Sequence, residues 1–211
     1  MSGHRKKRAT DEKDEEEEEE ELEVWRKNSS VYFYSDVNRA SVAKLIKLLC
    51  EASECSVQNT PPLGEPRVHL FIHSDGGDAY AGLSAMDHVA CNPVEIITIA
   101  DGFVASAASL ILLGSDTRYI MPHAHVLIHQ LRTGFIGKYD ELRDEMQNSE
   151  GLMKSFRTIY KDKTTMDPRQ IDALLCKELN LDADDCLRYG IAHRKLGPPS
   201  AGAAKRTGRR R

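Results

Sequence analysis

Residues 94–116 read VEIITIADGFVASAASLILLGSD. The β-branched run 94–100 predicts a strand. Gly102 then permits a turn, and the small residues after it predict a helix that ends near Gly114. A strand that turns directly into a helix is the building unit of an α/β protein. The helix carries two serines. Ser106 falls at the strand-to-helix turn. Ser109 falls one helical turn further on, where it is expected to face packing or the turn carbonyls and to carry no chemistry.

The same alternation extends in both directions. SVYFYSDV, 30–37, is aromatic and β-branched and predicts a strand. In NRASVAKLIKLLCEAS, Val42, Leu45, Ile46 and Leu49 recur at helical spacing. A Pro/Gly-rich loop, 57–66, leads to a strand over 67–74 that ends in Asp75-Gly76-Gly77. A helix follows over 79–90, with a break near Pro93. Beyond the quoted stretch, 117–130 holds two short strands. Residues 138–163 form a long amphipathic helix whose apolar stripe includes Leu142, Met146, Leu152, Phe156 and Tyr160. A further helix has Asp167 as its N-cap and Pro168 at its first position. The last, 182–190, is ended by Gly190. No repeat of solenoid type is present.

Of the 211 residues, 40% are hydrophobic and 29% charged, and the net charge is −4. The charge is unevenly spread. Residues 1–27 hold seven basic and eleven acidic side chains, including the run Glu15 to Glu21, and residues 197–211 hold five basic and no acidic ones. Such ends bury too little apolar surface to offset chain entropy. The expected organisation is a charged tail, 1–28, one domain, 29–196, and a basic tail, 197–211. Five cysteines lack C-x-x-C spacing and read as reduced structural thiols. No run has the length of a membrane span, and no secretory h-region or transit peptide is evident. A cytoplasmic location is expected.

Three features converge on one chemistry: Gly76-Gly77 after a strand, Ser106 at a strand-to-helix turn, and His129 near a strand end in LIHQ. Acyl transfer needs a nucleophile, a base and donors for a developing oxyanion. A helix N-terminus offers N–H groups without helical partners. Ala107 keeps the turn narrow, and Gly77 leaves room for a carbonyl oxygen. His129 can take the serine proton and return it to the leaving amine. The bland reading is close helix packing plus a satisfied strand histidine. PHAHVLIHQ also suggests a metal through His123, His125 and His129. Three histidines spread along one strand do not converge as zinc requires, so no metal is expected.

Taken together, FIHSDGGDAYAGLSAMD, GFVASAASLILLGS, HVLIHQLRTGFIGK and LDADDCLRYGIA resemble, in order and spacing, the proteolytic subunit of the Clp protease. The resemblance covers about residues 30–192. It implies an α/β fold of repeated β-β-α units, shared with the crotonases, with a protruding strand-helix handle formed by the segment after His129 and helix 138–161. It implies Ser106 as nucleophile, His129 as base, and the N–H groups of Gly77 and Ala107 as oxyanion hole. Gly76 and Leu131 would flank a substrate bound as an added β-strand. Handles would interlock two seven-membered rings around a chamber. ATP would be used by a separate AAA+ unfoldase, since this chain has no phosphate-loop motif and binds no cofactor.

Departures from the family pattern are specific. The third triad position carries Glu178 where an aspartate is usual. Asp182 and Asp172 are lesser candidates, and Asp184 and Asp185 read as solvated helix charges. Asp75 stands where a proline or small residue is common. The acidic N-terminus replaces the usual axial segment, which puts coupling to an ATPase in doubt. The basic ends are too sparse to argue for nucleic acid. YFYSDVN and LIHQLRTGFIGK look closer to the viral and phage branch. The function expected is a serine endopeptidase acting on peptides and unfolded polypeptides. The alternatives are a catalytically weak or inactive ring subunit and a crotonase-type acyl-CoA enzyme.

Overall fold

The structure, a computed structural model, describes residues 24–197. The acidic run and the basic C-terminal residues fall outside that range. In chain order the elements are β1 (Val24–Lys27), β2 (Ser30–Phe33), α1 (Arg39–Asn59), β3 (Arg67–Ser74), α2 (Ala79–Ala90), β4 (Glu95–Ala105) and α3 (Ala107–Leu113). Then come β5 (Thr117–Ile120), β6 (His125–Leu127), α4 (Tyr139–Lys163), α5 (Pro168–Leu175), β7 (Asn180–Leu181), α6 (Ala183–Arg188) and β8 (Arg194–Lys195).

One sheet runs in the order β1-β2-β3-β4-β5-β8, with β6 and β7 branching from β4. From β2 to β8 the pairs are parallel, and β1 closes the edge antiparallel to β2. β3-α2-β4 and β4-α3-β5 are successive strand-helix-strand units, the repeated construction expected of the sequence. The core lies between the sheet and its crossover helices. Val31, Phe33, Leu70, Ile72 and Ala100 meet Leu45, Leu49, Ala85 and Leu110 there, all buried.

β4 decides where the site falls. Its first half, Ile97–Ala100, pairs with β5, and its second half, Phe103–Ala105, pairs with β6. The change of partner coincides with Gly102, at φ 72, and with a register shift against β3. A Cβ on Gly102 would lie 2.4 Å from His73 Nδ1, so a side chain does not fit. The strand therefore does not end at residue 100 as its composition suggests. Pairing with β6 carries it on to Ala105, a long-range contact invisible in the local pattern.

β1 is a second difference. Residues 24–27 were expected to belong to the charged tail 1–28, yet they form an edge strand. The reason is local to the pairing. Val24 is buried, and the Trp25 ring stacks on Tyr32 at 4.9 Å, which in turn stacks on Phe71 at 4.9 Å.

Capping follows the sequence closely. Asn38 caps α1, Asp78 caps α2, Asp167 caps α5 and Asp182 caps α6, each accepting an N–H through its side chain. Gly190 sits at φ 69 just past α6. The C-terminal part is stitched together by Arg118, which is buried. Its guanidinium donates to the carbonyls of Ser115, Lys163, Gly190 and Ile191. α4 is buried only along its second half, at Leu152, Phe156 and Tyr160. Its first half leaves Tyr139, Leu142 and Met146 exposed, next to exposed Phe135 and Ile136.

Candidate active site

Ser106 stands between the end of β4 and the start of α3, as the residue before the first helical turn. Its backbone is at φ 54 and ψ −125, a left-handed conformation for a residue with a side chain. Such a conformation costs on the order of 1–3 kcal/mol and persists only where neighbours hold it. Several neighbours do. Ser106 N–H donates to the Leu127 carbonyl at 2.9 Å, which ties the turn to β6. Its own carbonyl accepts from Ser109 N–H at 3.0 Å and from Ser109 Oγ at 2.6 Å.

Gly76 explains why the turn can be so tight. At φ 97 it lies against the back of the turn, where a Cβ would come within 2.6 Å of Ser106 Cβ and 2.7 Å of the Ala105 carbonyl. Its carbonyl accepts from Val37 N–H at 2.7 Å. Gly76 therefore supports Ser106 from behind. Gly77, at φ 139, has no room for a Cβ because the Val37 carbonyl would be 2.3 Å away. Val37 bonds to Gly76 and Asp78, so the polar groups of Gly77 itself face the other edge.

That edge borders a cavity of about 400 Å³, which Gly77, Ser106, Ala107, His129 and Glu178 all line. Among the described residues, the N–H groups of Gly77 and Ala107 have no acceptor. Both residues line the cavity together with Ser106. The floor is apolar, from Leu110, Leu127 and Phe156, with Tyr160 among them.

His129 follows β6 and is held by its neighbours. Gln130 N–H donates to the Leu175 carbonyl at 2.8 Å, and Leu131 N–H to Met153 Sδ at 3.1 Å. His129 Nδ1 lies 3.4 Å from Glu178 Oε1. Arg132 reaches the same oxygen at 3.7 Å. No hydrogen bond joins Ser106 to His129 among the described residues, although they line the same cavity. The other acids weighed for the third position are engaged elsewhere. Asp172 pairs with Arg157 at 2.8 Å, Asp182 caps α6, Asp184 pairs with Lys195 at 2.7 Å, and Asp185 pairs with Arg188. His123 and His125 are exposed and do not line the cavity.

The family model for the Clp protease matches residues 14–196. The chain belongs to the Clp protease family. It is 28% identical over 158 residues to an ATP-dependent Clp protease proteolytic subunit 2 of Treponema denticola, covering 74% of this chain and 76% of that one. It is 31% identical to a proteolytic subunit 1 of Leifsonia xyli, covering 69% and 71% of the two chains. Among solved structures, a variant of ClpP1 from Listeria monocytogenes superposes with a TM-score of 0.70 at 20% identity, covering 81% of this chain and 92% of that one. The α/β fold of the Clp proteolytic subunit is thereby established. None of these relatives is viral, so the viral and phage branch finds no support in them.

Two residues at the cavity escaped the sequence reading. Arg132 had no signal, being one charge in an irregular segment. Tyr160 was read only as part of an apolar stripe. Its hydroxyl lies 2.8 Å from Ser109 Oγ, and burial pushes its pKa up to about 12. A tyrosine in place of an aliphatic residue at a fully buried position was the available hint, because a buried hydroxyl needs a partner.

Proposed function

We propose that this protein is a serine endopeptidase that cleaves peptides and unfolded polypeptides through an acyl-enzyme. The observation that carries the proposal is the strained Ser106, which shares one cavity with His129, Glu178 and the unspent N–H groups of Gly77 and Ala107. Ser106 Oγ attacks the scissile carbonyl, and His129 accepts its proton. The carbonyl oxygen becomes an oxyanion, stabilised by Gly77 and Ala107 N–H. Glu178 faces His129 Nδ1, which orients the ring so that Nε2 serves Ser106. The tetrahedral intermediate expels the amine, which takes the proton from His129. Water then repeats the cycle on the acyl-enzyme, with His129 as its base. Leu131, Asp75 and Gly77 all line the cavity, and they would frame an extended substrate strand.

The apolar surface of the handle supports an assembled ring. Phe135, Ile136, Tyr139, Leu142 and Met146 form an exposed stripe that a monomer leaves in water. Interlocked handles in two stacked heptameric rings would cover it and enclose the sites in a chamber. A separate AAA+ unfoldase would feed that chamber. We further propose that the protein works in the cytoplasm.

A fluorophosphonate probe tests the chemistry. Labelling of the assembled protein that is lost in Ser106→Ala supports the peptidase. The long 3.4 Å approach of Glu178 favours the runner-up, a weakly active or inactive ring subunit, if no labelling occurs. Such distances do not exclude catalysis, because hydrogen bonds of catalytic groups are often long before substrate binds.

A further inference from the structure

Ser109 and Tyr160 are an unusual pair. Ser109 is fully buried and Tyr160 is 2% exposed, among Ala107, Ala108, Leu110 and Ile111. A buried hydroxyl costs stability unless it is hydrogen-bonded, so two in an apolar setting require a reason. Their protons have a fixed order. Ser109 Oγ spends its only hydrogen on the Ser106 carbonyl at 2.6 Å, because a carbonyl cannot donate. Tyr160 must therefore donate to Ser109 Oγ, at 2.8 Å. The chain Tyr160 → Ser109 → Ser106 carbonyl runs from the long helix α4 to the strained turn.

The Ser106 carbonyl and the Ala107 N–H belong to the same peptide unit. That unit is planar and trans, so the two bonds point in opposite directions. Pinning the carbonyl on the buried side aims the N–H to the other side, where the cavity lies. We propose that Tyr160, acting through Ser109, is a positioning residue that holds the Ser106–Ala107 peptide so that Ala107 N–H points at the oxyanion. Hydrogen bonds to the carbonyl also polarise the peptide and strengthen its N–H as a donor. α4 is itself anchored, since Arg118 donates to the Lys163 carbonyl at 2.6 Å. Burial keeps the Tyr160 hydroxyl protonated, with a pKa of about 12, so the donor persists at any working pH.

This inference rests on the peptidase reading, and the test separates the two. The wild-type ring, Ser109→Ala, Tyr160→Phe and the double variant are assayed with a peptide amide, a matching peptide boronic acid and a fluorophosphonate. Loss of one oxyanion donor costs about 10²–10³ in rate, and a donor that is misdirected should cost less. Ser109→Ala is expected to lower kcat and labelling of Ser106 about tenfold, with KM within about twofold. The boronate inhibition constant should rise in parallel with the fall in kcat/KM, because the tetrahedral adduct needs the same donor. Tyr160→Phe should show a smaller loss of the same kind. The double variant should be no worse than Ser109→Ala, since Tyr160 acts only through Ser109. Melting temperature and sedimentation of each variant identify any loss due to unfolding. Wild-type rates in a folded Ser109→Ala ring, or losses that multiply in the double variant, would overturn the positioning role. Absence of labelling in the wild type would overturn the peptidase reading itself.

Discussion

His129 Nδ1 and Glu178 Oε1 lie 3.4 Å apart, and Arg132 approaches the same carboxylate oxygen at 3.7 Å. The Glu178 side chain is 60% exposed, so water and Arg132 both compete with the imidazole for it. The pair is oriented but not sequestered. In buried triads, loss of the orienting carboxylate costs about 10⁴ in kcat. Here Glu178→Ala is expected to lower Ser106 acylation by about 10²-fold or more, measured as the rate of fluorophosphonate labelling. Acylation at the wild-type rate would remove Glu178 from the mechanism.

Arg132 should act in the opposite sense. It is 82% exposed, and its ion pair is screened by solvent and salt. Replacing it with glutamine leaves Glu178 to His129 alone. Arg132→Gln is expected to raise kcat by about two- to threefold at low salt, with a smaller gain at high salt. Steady-state kinetics across an ionic-strength series checks this.

Gly76 has no tolerance for a side chain. Its φ of 97 and the 2.6 Å approach to Ser106 Cβ combine backbone strain with overlap. Gly76→Ala should destabilise the fold by about 2–4 kcal/mol and displace Ser106. Urea denaturation reports the first effect, and labelling of the folded fraction reports the second.

Arg118 is a structural cation without a carboxylate in hydrogen-bond contact among the described residues. It satisfies four carbonyls drawn from three separate loop or helix ends. Burial lowers its pKa, and the nearby Asp116 carboxylate opposes that fall. Arg118→Met would strand those oxygens, each at about 1–3 kcal/mol if it stays dry. A loss of at least about 3 kcal/mol in unfolding free energy is expected, again by urea denaturation.

Alkaline stability should depend on Cys186. Burial pushes its thiol up to about 12 from the ordinary thiol value near 9. Below pH 9 both the folded and unfolded chains hold the proton, and the neutral buried thiol carries no penalty. Between pH 9 and 12 the unfolded chain releases a proton that the folded chain keeps, so stability falls as pH rises. Cys186→Ala should flatten the decline of unfolding free energy with pH over that window. An unchanged slope would mean that the thiol is accessible in the folded protein.

Much of this molecule was legible in local sequence. The cap Asp167 and the stop at Gly190 act within a few residues of where they stand, so these residues announce themselves in the sequence. Ser106, His129 and the glycine pair were legible because a turn, a strand end and a tight loop each demand particular residue types. Other features were decided only by tertiary structure. β4 runs past Gly102 because β6 pairs with it, and Val24–Lys27 form a strand because Trp25 finds Tyr32. Gly76 proved to be a support for Ser106, since its close neighbour is thirty residues away. The family pattern already pointed to Glu178 among the acids near the C-terminus, but its approach to His129, and the engagement of the others in caps and ion pairs, exist only in the folded chain. The same holds for Ser109 and Tyr160, 51 residues apart, which local spacing reads as packing alone. Caps, periodicity and turn chemistry are short-range and can be read along the chain. Partner choice for a carboxylate, a hydroxyl or an edge strand depends on which distant groups the fold brings within about 3 Å.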